Sequence, residues 1–189
     1  VVTGVQTCAL PICSGQVTRR EWFGTACCPP NIARLLASLP GYAYGQSADT
    51  AFVHLYLEGG ANLDIGGARV GLNVETDYPW DRDVKLEVNP EAGAEFTLAL
   101  HAPGWCRAPE VTVNGKRVPA NSLRERGYLH LNRCWREGDI VELTLPMPVE
   151  RIEANPAVRS NCGRVALQRG PLVYCLEETD NGPKLHDIA

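Results

Sequence analysis

VTVNGKRV, residues 111–118, is the segment that most directly indicates the fold of this chain. In it, Asn114-Gly115 separates two short runs that contain β-branched residues. Both central residues of a type I′ turn need a positive φ angle, which asparagine and glycine adopt more readily than other residues. The segment therefore predicts a tight antiparallel hairpin.

Runs with a period of two residues continue on both sides of this hairpin. Such a period places alternate side chains on opposite faces of a strand, and glycine, proline and asparagine separate the runs. The strand candidates are 52–57, 68–76, 84–88, 96–101, 128–131, 140–145, 164–168 and 172–176. Short strands at this spacing predict a mainly β fold, an antiparallel β-sandwich.

One stretch before the strands has the period of a helix instead. Its apolar stripe, with spacing i, i+3, i+4 and i+7, consists of Ile32, Leu35, Leu36 and Leu39. Asn31 is the N-cap candidate after Pro29-Pro30, and we expect Pro40-Gly41 to end the helix. Because a lone short helix cannot bury such a stripe, we expect it to be the last helix of a helical domain that lies upstream.

Composition and charge exclude several classes of protein. The chain has 189 residues, 44% of them hydrophobic, and a formal net charge of −4. This composition is typical of a globular protein. The mild acidity and the lack of a run of lysine and arginine argue against a nucleic-acid or anionic-membrane partner. No apolar stretch reaches the roughly 20 residues of a membrane-spanning helix.

Eight cysteines occur, at positions 8, 13, 27, 28, 106, 134, 162 and 175. They form no CxxC motif, and their irregular spacing does not indicate a small disulfide-stapled domain. We interpret most of them as thiols in a reducing, cytoplasmic compartment. Cys106, Cys134, Cys162 and Cys175 are expected to be small buried hydrophobic side chains. A periplasmic or secreted protein with one or two disulfides is the alternative.

The first residues do not fit the rest of the chain. VTGVQTCALPI, residues 2–12, resembles a translated sequencing adapter, and it lacks the basic region and cleavage site of a signal peptide. We expect the segment 1–13 to be an artefact or disordered. On this interpretation Cys8 and Cys13 have no biological role.

The adjacent cysteines Cys27 and Cys28 are the main candidates for reactive or metal-binding side chains. They precede Pro29-Pro30 at the expected start of the helix, where the partial positive charge of a helix N-terminus favours a thiolate. A thiolate is both a nucleophile and a metal ligand, and two sulfurs make half of a tetrahedral zinc site. From spacing alone, an inert buried pair or a vicinal disulfide remains equally open.

The flanking residues resemble glycoside hydrolase family 127, the β-L-arabinofuranosidases. The resemblance covers nearly everything from Arg19 onward, and the CCPPN block is its most specific part. The matching blocks are EWFGTACCPPNIAR (21–34), TDYPWD (76–81), APGW (102–105), VNG (113–115), RCWREGD (133–139), RGPLVY (169–174) and EETDN (177–181).

This resemblance implies an (α/α)6 catalytic barrel followed by β-sandwich domains. The expected domains are 14–45, the C-terminal remnant of the barrel; 46–148, a β-sandwich; and 149–189, the incomplete start of a second sandwich. The fold class is then mainly β, with the last helix of a truncated barrel in front. We also expect the chain to stop early, since residues 184–189 do not resemble a domain end.

The resemblance also implies a mechanism and its residues. Cys27 matches the nucleophile of a retaining glycosidase and a ligand of its zinc ion, and Cys28 matches a second zinc ligand. The other two ligands, a Glu-x-Cys pair, and the acid/base Glu are expected upstream. The substrates would be L-arabinofuranosyl-containing oligosaccharides or glycans, and a homodimer stays open as the assembly. Without the upstream residues we expect this 189-residue chain to be inactive.

Other polar and aromatic residues are given plainer roles. We expect Glu21 to be a surface residue rather than the acid/base, and Trp22 and Phe23 to pack in a core rather than stack on sugar. We likewise expect Trp80, Trp105 and Trp135 to pack in the core rather than to form a carbohydrate-binding platform. No role is assigned to His54, His101 and His130.

Two functions without catalysis compete with an enzyme fragment. The sandwich could be a module that recognises plant-type glycans, or it could only brace the barrel. A Glu-x-Cys pair in the upstream sequence would favour the enzyme. Glycan titration with a Trp105→Ala variant would test the binding module.

Overall fold

A computed structural model of the chain describes residues 27–176, 178–182 and 184. The chain divides into two compact units, Val1–Tyr44 and Gly45–Ala189. Among the described residues, no helix has the length and apolar character needed to cross a membrane.

The first unit contains the predicted helix, with a different start. Helix α1 spans Cys28–Ser38, with Cys27 as its N-cap residue. The prediction of Asn31 as N-cap is therefore wrong by four residues. Pro29 and Pro30 lie inside the first turn rather than before it, since the fixed φ of proline suits this turn and the missing N–H would have no partner there.

The end of the helix, at Ser38, confirms the prediction that Pro40-Gly41 terminates it. Leu39 keeps helical dihedral angles, and a further turn, α2, follows over Pro40–Ala43. Helix α1 thus ends directly before Leu39 and Pro40, and Pro40 starts a separate turn. The predicted apolar stripe lies on α1, where Leu35 is 55% and Leu36 64% exposed, so the described residues leave this part of it uncovered.

The second unit is built from strands, and its fold is mainly β as predicted. A five-stranded sheet has the order β1-β2-β6-β10-β9. These strands are β1 (Tyr44–Gln46), β2 (Thr50–Val53), β6 (Ala94–His101), β9 (Arg124–Glu125) and β10 (Tyr128–Trp135). A six-stranded sheet has the order β3-β4-β5-β11-β7-β8. Its strands are β3 (Gly59–Ile65), β4 (Ala68–Thr76), β5 (Asp83–Pro90), β7 (Glu110–Val113), β8 (Lys116–Val118) and β11 (Asp139–Thr144).

The buried faces of these two sheets form the core of the sandwich. Along β4 and β5, alternate side chains are buried, as the two-residue period requires. The largest fully buried side chains are Trp135, Leu86, Leu98, Leu100, Leu129, Leu143, Leu145, Val53, Val70, Val74, Val84 and Val88.

The hairpin that indicated the fold is present. Strands β7 and β8 pair antiparallel, and Asn114 and Gly115 between them have φ angles of 51° and 72°. Strands β4 and β8 have the predicted bounds. The candidate 52–57 was too long, because β2 ends at Val53.

One strand pairing departs from the antiparallel expectation. β2 and β6 are parallel neighbours, with Ala51 opposite Leu98. Three strands of the other sheet, β3 to β5, lie between them along the chain. Each connection reverses the direction of the chain, and four connections join β2 to β6. β6 therefore runs in the same direction as β2.

A third sheet and several single turns complete the described residues. The sheet consists of β12 (Val149–Glu153), β13 (Val165–Arg169) and β14 (Leu172–Tyr174), in that order. The turns are α3 (Ala120–Leu123), a 3-10 turn at Arg159–Asn161, and α4 (Glu178–Asn181). This sheet is poorly covered, with Val149 67% and Val173 68% exposed. That it begins a second sandwich stays a prediction, as do the three boundaries between the four predicted segments.

Candidate active site

The Cys27-Cys28 pair lies at the N-terminus of helix α1, as the sequence predicted. Cys27 is the exposed N-cap residue, and Cys28, which is half-buried, is the first helical residue. Their Sγ atoms are 3.7 Å apart. An S–S bond is about 2.05 Å long, so the pair is not a vicinal disulfide.

The first turn of α1 has few amide donors. Pro29 and Pro30 carry no N–H group, so two of the amides that usually surround a helix N-terminus are absent. The Cys27 side chain does not cap the helix either. Its sulfur therefore makes no capping bond and can react or bind a metal ion.

Asn31 holds the main chain of Cys27 in place. Its side-chain Nδ2 donates a 2.8 Å hydrogen bond to the Cys27 carbonyl. Its main-chain N–H donates to the same oxygen at 3.4 Å. Sequence reasoning singled out Asn31 as an N-cap and missed this contact, which depends on the helix starting at Cys28.

The sulfur pair fits two corners of a tetrahedral metal site. Two ligands of a zinc ion with Zn–S bonds of about 2.3 Å lie about 3.8 Å apart, close to the observed 3.7 Å. Within the described part of the chain, no group of three or more His, Cys, Asp or Glu side chains could hold a metal ion. The described residues thus offer at most half of a zinc site.

Several predicted residues lie outside the described part of the chain. They are Cys8, Cys13, Glu21, Trp22 and Phe23. The expectations for them stay predictions.

The three tryptophans of the sandwich do not form one platform. Trp135 is fully buried against Phe96, and its Nε1 donates a 3.0 Å hydrogen bond to the Phe96 carbonyl. Trp105 is half-buried. Trp80 is 67% exposed, so the expectation of core packing is confirmed for Trp135 and wrong for Trp80.

The cysteines of the sandwich and of the third sheet also differ from one another. Cys106 is buried as expected, and burial raises the pKa of its thiol against the opposing effects of the Ala108 amide and the Arg124 charge. Cys134, Cys162 and Cys175 are exposed, which contradicts the prediction that they are buried. For Cys134 the reason is strand alternation, since it precedes the inward-facing Trp135 on β10.

Histidine and aromatic side chains gather on the five-stranded sheet, a feature that the sequence analysis missed. His54 Nδ1 and the Tyr128 hydroxyl are 2.8 Å apart. The rings of Phe52 and His101 also contact Tyr128, with centroids 5.7 and 5.6 Å away. Burial lowers the pKa of His101, and the nearby charges of His54 and Arg124 lower it further. The two-residue spacing of 52 and 54 was the available signal, but pairing with Tyr128 required the fold.

Comparison with known proteins identifies the domains. Residues 50–147 match the model of the β-L-arabinofuranosidase GH127 middle domain, and residues 149–189 match that of the glycoside hydrolase family 127 C-terminal domain. Both are domains of carbohydrate-cleaving enzymes, the glycoside hydrolases. Within that class, the chain belongs to glycoside hydrolase family 127.

Individual relatives agree with this assignment. A non-reducing end β-L-arabinofuranosidase of Bifidobacterium longum subsp. longum is 41% identical over a 173-residue alignment, which covers 86% of this chain and 25% of the relative. The crystal structure of a GH127 β-L-arabinofuranosidase from Geobacillus stearothermophilus is 55% identical, with a TM-score of 0.85. That match covers 89% of this chain and 26% of the other. A GH127 β-arabinofuranosidase structure is 39% identical, with a TM-score of 0.80, over 87% of this chain and 28% of the other. The chain therefore spans about a quarter of the length of these relatives.

Proposed function

We propose that this chain is the part of a longer retaining glycosidase that carries its nucleophile, Cys27, and that the enzyme releases β-L-arabinofuranosyl groups from glycans. The observation that carries the proposal is the pair of sulfurs 3.7 Å apart at the start of α1. Family membership supports the substrate class, because the relatives are described as β-L-arabinofuranosidases.

In the proposed first step, the Cys27 thiolate attacks the anomeric carbon of the sugar. A bond forms between Sγ and that carbon, and the bond to the leaving oxygen breaks as an acid on the longer protein protonates this oxygen. In the second step, the conjugate base of that acid takes a proton from water, the water oxygen attacks the same carbon, the C–S bond breaks, and Cys27 is again a thiolate. Two displacements at one carbon retain its configuration.

Cys27 and Cys28 are proposed to hold a zinc ion together with ligands outside the described residues. Bound zinc would keep a thiolate deprotonated at neutral pH. Two features support this role: the spacing of the sulfurs matches two corners of a tetrahedron, and the first turn lacks the amides of Pro29 and Pro30. Since reduced thiols are needed, we propose a reducing, cytoplasmic location.

Three cysteine variants of the longer enzyme test the proposal. Cys27→Ala should lose turnover of an aryl β-L-arabinofuranoside, and Cys28→Ser should lower the zinc content measured by plasma mass spectrometry. Cys134→Ser, which changes an exposed cysteine of the sandwich, is the matched control and should keep both. Full turnover by Cys27→Ala would overturn the nucleophile assignment, and full zinc content in Cys28→Ser would overturn the ligand assignment.

The isolated 189-residue chain gives a second test. It holds two of the proposed zinc ligands among its described residues and should show no turnover. Measurable hydrolysis by this chain would contradict the proposed need for residues outside it.

A further inference from the structure

We propose that Asn31 is a positioning residue for Cys27, which holds the nucleophile and its zinc-binding partner Cys28 at a fixed spacing. This inference rests on the proposed function of the pair. It starts from the observation that one carbonyl, that of Cys27, receives two hydrogen bonds from the same residue, Asn31. A carbonyl oxygen has two lone pairs and can accept both.

The side-chain bond is the stronger connection of Cys27 to the helix. Hydrogen bonds between N–H and oxygen are usually 2.9–3.0 Å long. The main-chain bond from Asn31 is 3.4 Å long, whereas the bond from its Nδ2 is 2.8 Å long. The main-chain hydrogen bond that should begin the helix is thus weak, and the side-chain carboxamide of Asn31 compensates for it.

The first turn, which lies within the described residues, has fewer amide donors than a usual helix start. Pro29 and Pro30 have no N–H to donate, and the Cys27 side chain makes no capping hydrogen bond. The amides to which an N-cap side chain usually bonds are those of Pro29 and Pro30, so the Cys27 sulfur has no capping bond to make and is left to react. Asn31 instead holds the main-chain carbonyl of the same residue.

The consequence for the site is geometric. Cys27 has helical dihedral angles, φ −77° and ψ −37°, although it lies before the first helical residue. These angles help to set the direction of its Cα–Cβ bond relative to that of Cys28, and so the 3.7 Å spacing of the sulfurs. Without the side-chain carboxamide of Asn31, Cys27 should populate other backbone dihedral angles for part of the time.

Helix α1 provides a matched control for this contact. Ser38 Oγ donates a 3.0 Å hydrogen bond to the Leu35 carbonyl, another exposed side-chain to main-chain contact, at the far end of the same helix. Ser38→Ala therefore removes a comparable bond without touching the Cys27-Cys28 pair.

The experiment compares Asn31→Ala with Ser38→Ala in the longer enzyme. A net hydrogen bond changes a population by about two- to tenfold. Asn31→Ala should lower both kcat and the affinity for zinc by that factor, with KM unchanged, and Asn31→Gln should restore part of each loss. Zinc affinity is measured by competition with a chromophoric chelator, and Ser38→Ala should match the wild type in both.

The outcomes separate this inference from the proposed function. Equal kcat and zinc affinity in Asn31→Ala and Ser38→Ala would overturn the positioning role alone. Full turnover by Cys27→Ala in the same assay would overturn the proposed function and the positioning role with it. If Asn31→Ala fails to fold, the nearly isosteric Asn31→Asp decides. An ionised aspartate cannot donate, and a wild-type kcat and zinc affinity in this variant would overturn the inference.

Discussion

Replacing Asp139 with alanine is expected to destabilise the sandwich, because this carboxylate joins two turns of the six-stranded sheet. Asp139 is only 8% exposed. Its oxygens accept hydrogen bonds from Asn114 Nδ2 at 2.8 Å and from the Arg136 N–H at 2.9 Å. Asn114 in turn accepts from the Ile140 N–H at 2.9 Å, which connects the β7–β8 turn to β11.

The expected loss follows from these contacts. A hydrogen bond to a charged group contributes roughly 1.5–3 kcal/mol, and a donor left without its partner adds a desolvation cost. Because Asn114 is exposed and can bond to water after the change, we expect a loss in the lower part of the range for the two hydrogen bonds together. The two bonds together sum to roughly 3–6 kcal/mol, so Asp139→Ala should reduce the free energy of unfolding by about 3–4 kcal/mol.

A double-mutant cycle with Asn114→Gly isolates the bond between the two side chains. Glycine is the suitable replacement because Asn114 has a φ angle of 51°, which alanine would adopt only with strain. The coupling free energy should be about 1–3 kcal/mol, measured by urea unfolding followed by tryptophan fluorescence. Effects that add to within about 0.5 kcal/mol would refute the proposed interaction.

An exposed aspartate in another turn is the control. Asp64 accepts a 3.1 Å hydrogen bond from the Gly67 N–H in the β3–β4 turn. Asp64→Ala should cost no more than about 1 kcal/mol, because both groups remain solvated after the change.

The effect of Asp139→Ala should also depend on pH. Desolvation raises the pKa of Asp139. Hydrogen bonds from Asn114 and the Arg136 amide, together with the charges of Arg133 and Arg136, lower the pKa by more than desolvation raises it, so the pKa is below its usual value. A carboxyl with a lowered pKa in the folded state stabilises the fold above its unfolded pKa of about 3.9, and this stability is lost as the pH falls through the folded value. The difference between wild type and variant should shrink below about pH 4.

Three further predictions concern other parts of the sandwich. Trp135→Ala should destabilise it by about 3–5 kcal/mol, whereas Trp80→Ala should change its stability by less than about 0.5 kcal/mol, because Trp135 is fully buried and Trp80 is 67% exposed. Since burial lowers the pKa of His101, wild-type stability should fall as the pH drops below about 6.5, and His101→Gln should flatten this slope in urea unfolding at several pH values. Iodoacetamide should label exposed Cys134 well before buried Cys106, as followed by peptide mass spectrometry, and equal labelling rates would contradict the structure.

Local patterns predicted much of the fold and of the candidate site. The Asn114-Gly115 turn, the strands β4 and β8, and the helix after the cysteine pair all follow from neighbouring residues. Strand β3 was missed because its sequence, GGANLDI, contains residues that are rare in strands. Packing in the six-stranded sheet, next to β4, overrides this weak local preference.

The sequence by itself determined the mainly β class, the hairpin, and the place of Cys27-Cys28 at the start of a helix, because each depends on dihedral preferences and spacing within a few residues. Only the tertiary structure decided that Trp135 points inward and Cys134 outward, that β2 and β6 run parallel, and that His54 meets Tyr128 across 74 positions. A two-residue period separates the two faces of a strand but does not say which face meets another sheet. The contact between Asn31 and Cys27 belongs to the same group, since it depends on where the first turn of the helix begins.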